Sequence, residues 1–276
     1  MKLLNLLGAT CPLPFFVLAY ALSWVMWVPA ALASQDLLPW PLPFTPLLIA
    51  GTFGPSAAAF IFTARHEGAA GAWRLLRRGF AYRLPFPVLV FIIVVPVAIT
   101  SIAFAISSDA YPVLRPLPLL ATFILFFFLG GSFGEEFGWR GYALPRLLNQ
   151  TGPLGSSLAL GAVWAAWHLP LFWVRGTSQF STPFWLYFVF MLAFSVMFTW
   201  VHQESGGNLF AALLLHTVFN LTVVMFPPQE PVGGVDQSMY YTTGLFVLVA
   251  AFLIVRGKSS KGAEVASAEG LRQSYE

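Results

Sequence analysis

Two adjacent carboxylates and a guanidinium, Glu135, Glu136 and Arg140, stand at the end of one of the most apolar stretches of the chain. On a helix of about 3.6 residues per turn, neighbouring side chains project about 100° apart, so the two glutamates face different surroundings. Glu136 precedes Arg140 by four residues, which is the spacing of an intrahelical ion pair. We therefore predict that Glu136 pairs with Arg140 and that Glu135 faces a cavity.

Two more polar groups interrupt apolar runs downstream, and each has the same spacing of four residues. Trp164 precedes His168, and His216 precedes Asn220. Side chains four residues apart lie on one face of a helix, so each pair presents its members together. Trp164 is expected to pack against His168.

The depth of these groups in the membrane predicts whether they can meet. Glu135, His168 and His216 lie roughly 16, 20 and 15 Å from the predicted cytoplasmic ends of their helices, at about 1.5 Å per residue. Similar depths favour one shared cavity, provided that the helix carrying Glu135 continues to about Leu148. The row Gly130, Gly134, Gly138 would allow a neighbouring helix to approach closely at this level.

A carboxylate, two imidazoles and an amide in a pocket of restricted polarity can activate water and stabilise an oxyanion. That chemistry indicates hydrolysis of an amide bond, by a protease that takes its peptide from the cytoplasmic side. Two alternatives remain open from the residues: a transporter or proton relay that titrates the same glutamate and histidines, and a membrane scaffold in which the cluster only packs.

The elements that must position these residues are membrane-spanning helices. The chain has 276 residues, of which 58% are hydrophobic and 9% charged, and its mean hydropathy is +0.76. This composition excludes a soluble globule, and the apolar runs lack the alternation of a β-barrel. We predict an all-α, polytopic membrane helical bundle of about eight spans, near 12–34, 42–64, 85–107, 117–134 or beyond, 155–173, 183–201, 207–226 and 239–255.

The basic residues predict the orientation of this bundle. Sorted by alternate loops, twelve of them fall on one side: Lys2, Arg65, Arg74, Arg77, Arg78, Arg83, Arg140, Arg146, Arg256, Lys258, Lys261 and Arg272. Arg115 and Arg175 fall on the other side, so both termini are expected in the cytoplasm. The stretch from Arg74 to Phe80 looks like an interfacial helix. Because the basic residues share no single solvated face, the net charge of +3 does not indicate a nucleic-acid partner.

The domain organisation is predicted to be simple. Residues 1–256 form one membrane-embedded domain with its motifs in 115–225, and residues 257–276 form a disordered cytoplasmic tail. Residues 1–11 are interpreted as a short cytoplasmic lead rather than a cleaved signal, and the single Cys11 excludes an intramolecular disulfide.

The three motifs together resemble those of the CPBP family, which comprises the Rce1-type CAAX prenyl endopeptidases and their bacterial relatives, also called the Abi family. The resemblance covers roughly residues 115–225, including the flank Arg-Gly-Tyr-Ala-Leu-Pro-Arg-Leu, and it departs from the family at Trp164, where the second motif usually has Phe. It implies an intramembrane endopeptidase of the cell membrane, in a bacterial or archaeal inner membrane, that acts on a membrane-associated and in some relatives prenylated peptide.

The resemblance also implies roles for the individual residues. Glu135 would be the general base, His168 would hold the water, His216 and Asn220 would polarise the scissile carbonyl, and Arg140 would orient Glu136 and its neighbour. His168, His216 and Glu135 could supply three ligands to a zinc ion, whereas a metal-free mechanism fits the same residues equally well. The sequence leaves these two mechanisms open.

Overall fold

A computed structural model describes residues 12–38, 43–107, 118–226 and 237–273, with side chains as far as Gly257. This part of the chain is helical and has no β-strand, as expected for the all-α class. The α-helices are α1 Leu13–Ser34, α2 Phe44–Thr52, α3 Gly54–Arg78, α4 Phe86–Ser107, α5 Leu119–Phe128, α6 Ser132–Gly138, α7 Leu144–Trp167, α8 Phe184–Glu204, α9 Leu209–Met225 and α10 Gln237–Gln273. A π-helical segment, Trp139–Ala143, joins α6 to α7, and a 3₁₀ helix, Leu169–Trp173, follows α7.

Six helical stretches of the described chain are long and apolar enough to cross a membrane, so the chain is a multi-pass membrane protein. One of them, Leu119–Trp173, is 55 residues long and turns sharply at Gly152, where φ is 68°. The apolar helix α9 has 17 residues and is shorter than these six. The number of eight spans and the cytoplasmic position of both termini stay predictions.

The helix that carries Glu135 continues to Leu148 and beyond, as expected, but the predicted span that begins at 117 is interrupted before Glu135. Helix α5 ends at Phe128, and α6 begins at Ser132 after Gly131, which has φ 105°. Because a residue with a side chain rarely adopts such a φ, the glycine permits this break. Beyond it the helical backbone does continue past Glu135, through the π-helical segment into α7.

Two glycines of the predicted row bring α6 against the chain at α2 and α3. A Cβ atom on Gly134 would lie 2.7 Å from the carbonyl oxygen of Thr52, and one on Gly138 would lie 2.6 Å from that of Pro55. The close helix approach predicted for these glycines is confirmed. Ser56 adds a hydrogen bond of 2.8 Å to the carbonyl of Phe133, which further ties α3 to α6.

The sequence also makes predictions for the segment after Gly68 and for the C-terminal residues. The chain turns at Gly68, where φ is 71°, so the arginines Arg74, Arg77 and Arg78 belong to a separate helical segment after the turn. This agrees with the interfacial helix predicted there. At the other end, α10 continues to Gln273, whereas the sequence predicts a disordered tail from 257, and the proposed division of the chain stays a prediction.

Candidate active site

Glu136 is held by two cationic or hydrogen-bonding partners inside the protein. Nη1 of Arg140 donates to both carboxylate oxygens of Glu136, at 3.0 and 3.1 Å, and both side chains are 0% exposed. The predicted pair is therefore present. Nδ1 of His216 contacts Oε1 of the same carboxylate at 2.7 Å. Glu136 consequently neutralises a buried guanidinium and orients a histidine ring, and it does not line the cavity.

Two aromatic rings that are nearly perpendicular to each other contact Arg140. Its guanidinium carbon lies 4.0 Å from the centroid of the Trp164 ring and 3.7 Å from that of Phe198. A guanidinium over aromatic rings gains cation–π attraction, which is strongest where water is absent. This arrangement fixes the inner side of the site.

Glu135 has a different environment, as the helical geometry predicts. Its Oε2 accepts a hydrogen bond of 2.7 Å from the indole Nε1–H of Trp164, and the side chain borders a cavity of about 420 Å³. One carboxylate oxygen is thus bound by the protein. The other, Oε1, lies beside the Cα of Gly131 and is available to a ligand in the cavity.

His168 lies at the point where α7 ends. Its Nδ1 is 2.8 Å from the carbonyl oxygen of Trp164, and because a carbonyl only accepts, Nδ1 carries the proton. In a neutral ring Nε2 then has a free lone pair. Trp27 and Tyr187 pack around the imidazole, with ring centroids 6.1 and 5.4 Å away. The histidine therefore presents a hydrogen-bond acceptor from a fixed ring.

His216 and Asn220 lie on α9, one helical turn apart, and both line the same cavity. The Nδ2 of Asn220 donates a hydrogen bond of 2.7 Å to the carbonyl oxygen of Gly130. That carbonyl belongs to the break between α5 and α6, so Asn220 holds the break in place. The amide nitrogen carries a second hydrogen that can serve a ligand.

The cavity brings four of the six candidate residues together: Glu135, His168, His216 and Asn220. Glu136 and Arg140 lie directly behind them, bound to each other and to His216. The shared cavity predicted from membrane depth is present. The remaining lining is mostly apolar and aromatic, with a few polar residues from the segment between the 3₁₀ helix and α8.

Residue 131 is a glycine, and Glu135 and His216 approach it closely. A Cβ atom there would be 2.7 Å from Oε1 of Glu135 and 3.5 Å from Nε2 of His216. The glycine therefore lets the carboxylate and the imidazole lie next to the break between α5 and α6. Both side chains also line the cavity, so a water molecule in the cavity would have Oε1 of Glu135 as an acceptor.

The three residues considered as zinc ligands, His168, His216 and Glu135, share the cavity. Among the described residues no group of three or more His, Cys, Asp or Glu side chains is placed to hold a metal ion. Oε2 of Glu135 accepts a hydrogen bond from Trp164, and Oε1 is available. The zinc set stays a prediction, and the chemistry proposed for these residues uses no metal.

The sequence missed two contributions to the site. Trp164 was expected only to pack against His168, yet its N–H binds Glu135, from 29 residues further along the chain. A buried indole N–H usually requires an acceptor, and the adjacent glutamates were the available signal. Tyr187 lines the cavity beside His168, but it lies in an aromatic run that offers no signal in the sequence.

Comparisons with known proteins agree with the motifs. Residues 116–222 match the family model described as type II CAAX prenyl endopeptidase Rce1-like. Over 161 residues, 56% of this chain, the sequence is 30% identical to a protein from Methanococcus maripaludis named CAAX prenyl protease 2. The alignment covers 53% of that relative, so the chain spans about half the length of the curated protein it matches. The resemblance to the Rce1-type family is thus confirmed.

Proposed function

We propose that the chain is an intramembrane endopeptidase that hydrolyses a peptide bond of a membrane-associated substrate with a water molecule activated by Glu135. The observation that supports this most directly is the cavity that Glu135 lines together with His168, His216 and Asn220. A carboxylate with one oxygen fixed by Trp164 and the other available to the cavity has the arrangement of a general base.

The reaction proceeds by addition and elimination. Oε1 of Glu135 takes a proton from the water while the water oxygen adds to the carbonyl carbon of the scissile bond. The resulting tetrahedral intermediate carries an oxyanion. The proton on Glu135 then passes to the leaving nitrogen, the carbon–nitrogen bond breaks, and the products are a carboxyl terminus and an amine. The carboxylate of Glu135 is regenerated for the next turnover.

His168 serves to hold the attacking water. Its Nδ1–H is directed to the carbonyl of Trp164, so the lone pair on Nε2 can accept the second hydrogen of the water. With Glu135 accepting the first, the water oxygen keeps a lone pair for the carbonyl carbon. Fixing the water in this way removes the entropic cost of aligning it during reaction.

His216 and Asn220 serve the oxyanion. Glu136 binds Nδ1 of His216, and in the protonated ring the opposite Nε2–H donates toward the cavity, with Glu136 balancing its charge. The second hydrogen of the Asn220 amide would donate to the same oxygen. Two donors in a water-excluded site stabilise the developing charge more strongly than they would in water.

The substrate proposed is a peptide with an apolar anchor. The apolar and aromatic lining of the cavity suits such an anchor. The name of the archaeal relative makes a prenylated CAAX-like peptide the first substrate to test. Other membrane-anchored peptides fit the same chemistry.

The test is Glu135→Gln in the full chain, with cleavage of a prenylated reporter peptide measured in detergent. We expect hydrolysis to be lost while the thermal unfolding midpoint stays close to that of the wild type. Glu204→Gln, which changes an exposed glutamate at the end of α8, is the matched control and should keep its activity. Unchanged turnover in Glu135→Gln would refute the assignment, whereas a peptide retained by this variant in native membranes would identify the substrate.

A further inference from the structure

Contacts between loops define two ends of the helical bundle. At the first, which we call the arginine end, Arg78 reaches the carbonyl oxygens of Gly141 and Gly207, at 3.4 and 3.5 Å. At the second, the Arg175 end, Arg175 pairs with Asp36 at 2.9 Å. The chain segments at each end therefore belong to opposite faces of the membrane.

The described arginines are distributed unequally between these ends. Of the described arginines, Arg175 alone lies at the Arg175 end, and Arg140 is buried between the two ends. The others lie toward the arginine end: Arg65, Arg74, Arg77, Arg78, Arg83, Arg146 and Arg256. The positive-inside rule assigns the arginine end to the cytoplasm, so the Arg175 end faces the opposite side of the membrane.

The cavity of the candidate active site occupies only the half of the bundle toward the Arg175 end. On α9, which runs away from the arginine end, the lining begins at His216 and continues outward to Val224. On α8, which runs the other way, it begins at Tyr187 and stops at Phe194. The two helices thus open the cavity in the same direction.

Below the cavity, the protein is closed toward the arginine end. Phe198, one turn beyond Phe194 on α8, is fully buried and packs against the Arg140 guanidinium. Trp139 is also fully buried, and Trp164 packs against the same guanidinium. These side chains leave no described path to Glu135 from the arginine end.

The rim of the cavity consists of polar residues at the Arg175 end. Ser178, Gln179 and Thr182 come from the segment that follows Arg175, and Met239 from the first turn of α10. Tyr240, next to Met239, contacts Trp185 at the beginning of α8, which places this part of α10 at the same end. The described residues that line the cavity and reach a face of the bundle all reach this one.

We infer that the substrate enters from the extracytoplasmic face, and that it is a membrane-anchored peptide presented on the translocated side of the membrane. This inference rests on the proposed peptidase function for the identity of the ligand, and on the cavity and the arginines for its direction. It replaces the cytoplasmic access expected from the sequence. A lipidated peptide presented on the cytoplasmic surface would meet the closed side formed by Phe198 and Arg140.

The accessibility of single cysteines to a labelling reagent tests the direction in which the cavity opens. In a Cys11→Ser background, which removes the chain's one cysteine, Thr182→Cys probes the rim and Val224→Cys probes the cavity. Gln203→Cys, at the exposed end of α8, is the control for the arginine end. The probe is a membrane-impermeant maleimide, applied to intact cells that express the full chain and to inverted membrane vesicles.

We expect labelling of Thr182→Cys and Val224→Cys in intact cells and loss of that labelling in inverted vesicles, with the reverse for Gln203→Cys. Labelling of Val224→Cys from the vesicle side would overturn the inference. So would its failure to react in intact cells in which Thr182→Cys reacts. Labelling of Thr182→Cys only in inverted vesicles would also overturn it, because the bundle would then have the opposite orientation.

This experiment is independent of catalysis. Were Glu135→Gln to retain full turnover, the peptidase proposal would fail while the labelling pattern still measured the direction of the cavity. Labelling from the cytoplasmic side would instead refute the direction and leave the peptidase proposal intact. A second readout is cleavage, in cells, of paired reporters that carry the same peptide anchored on either face; we expect loss of cleavage for the cytoplasmic reporter.

Discussion

The sharpest perturbation of the proposed chemistry is Gly131→Ala, which adds one methyl group directly beside the carboxylate of Glu135. The new Cβ would lie 2.7 Å from Oε1 of Glu135 and 3.5 Å from Nε2 of His216. The first distance is shorter than a methyl carbon and an oxygen tolerate, so Glu135 must move or the break must shift. In either case Oε1 leaves the position from which we propose that it activates the water.

Two effects of this substitution have different magnitudes and different readouts. Alanine at φ 105° is strained, which costs about 1–3 kcal/mol of folding stability. Displacement of the Glu135 carboxylate adds a loss of rate, because an error of about 1 Å in a reacting group costs about 100-fold. We therefore expect a modest decrease of the unfolding midpoint and a much larger decrease of kcat.

Gly206→Ala separates the two effects. Gly206 also has a positive φ, 67°, but a Cβ there meets no atom within 4 Å, and the residue lies in the loop between α8 and α9. The control therefore shares the backbone strain without touching the site. Both variants are assayed by thermal unfolding in detergent and by cleavage of the prenylated reporter. Equal kcat values for Gly131→Ala and Gly206→Ala would refute the proposed dependence of turnover on the position of Glu135.

Two further substitutions test how the site is held. Trp164→Phe keeps an aromatic ring but removes the N–H that binds Glu135. We therefore expect kcat to fall about tenfold, the equivalent of about 1.4 kcal/mol, with KM unchanged. A wild-type kcat would show that the hydrogen bond does not orient the carboxylate. Gly138→Ala forces a Cβ to within 2.6 Å of the carbonyl of Pro55, and we expect a loss of about 1–3 kcal/mol in thermal or denaturant unfolding. Gly244→Ala, whose Cβ meets nothing within 4 Å, should be neutral or stabilising, and similar losses in the two variants would contradict the packing argument.

The helices were predictable because hydropathy identifies membrane-spanning segments directly from the sequence. The run expected at 183–201 is the helix Phe184–Glu204, and the run expected at 207–226 is Leu209–Met225. Local spacing also predicted the Glu136–Arg140 pair, since four residues on one helix determine that contact without any tertiary information.

The break at Gly130–Gly131 was not predictable in the same way. Hydropathy does not report φ, and a row of glycines four residues apart is equally typical of close helix packing. Gly134 and Gly138 do serve packing, whereas Gly131 serves the break. The bond from Trp164 to Glu135 joins two helices, so its geometry depends on the whole bundle.

The adjacency of the two glutamates explains how a membrane protein can keep a carboxylate beside an apolar cavity. Glu136 is fully buried, shares its charge with Arg140 and binds His216, so its contribution is electrostatic and orienting. Glu135 projects from the same backbone at a different angle, and only one of its oxygens has a protein partner in the described structure. Exchanging the two roles would leave Arg140 without its carboxylate partner and the cavity without its carboxylate. The helix therefore uses one carboxylate to neutralise the buried cation and leaves the next one for the proposed chemistry, and the glycine at 131 permits close approach only to the second.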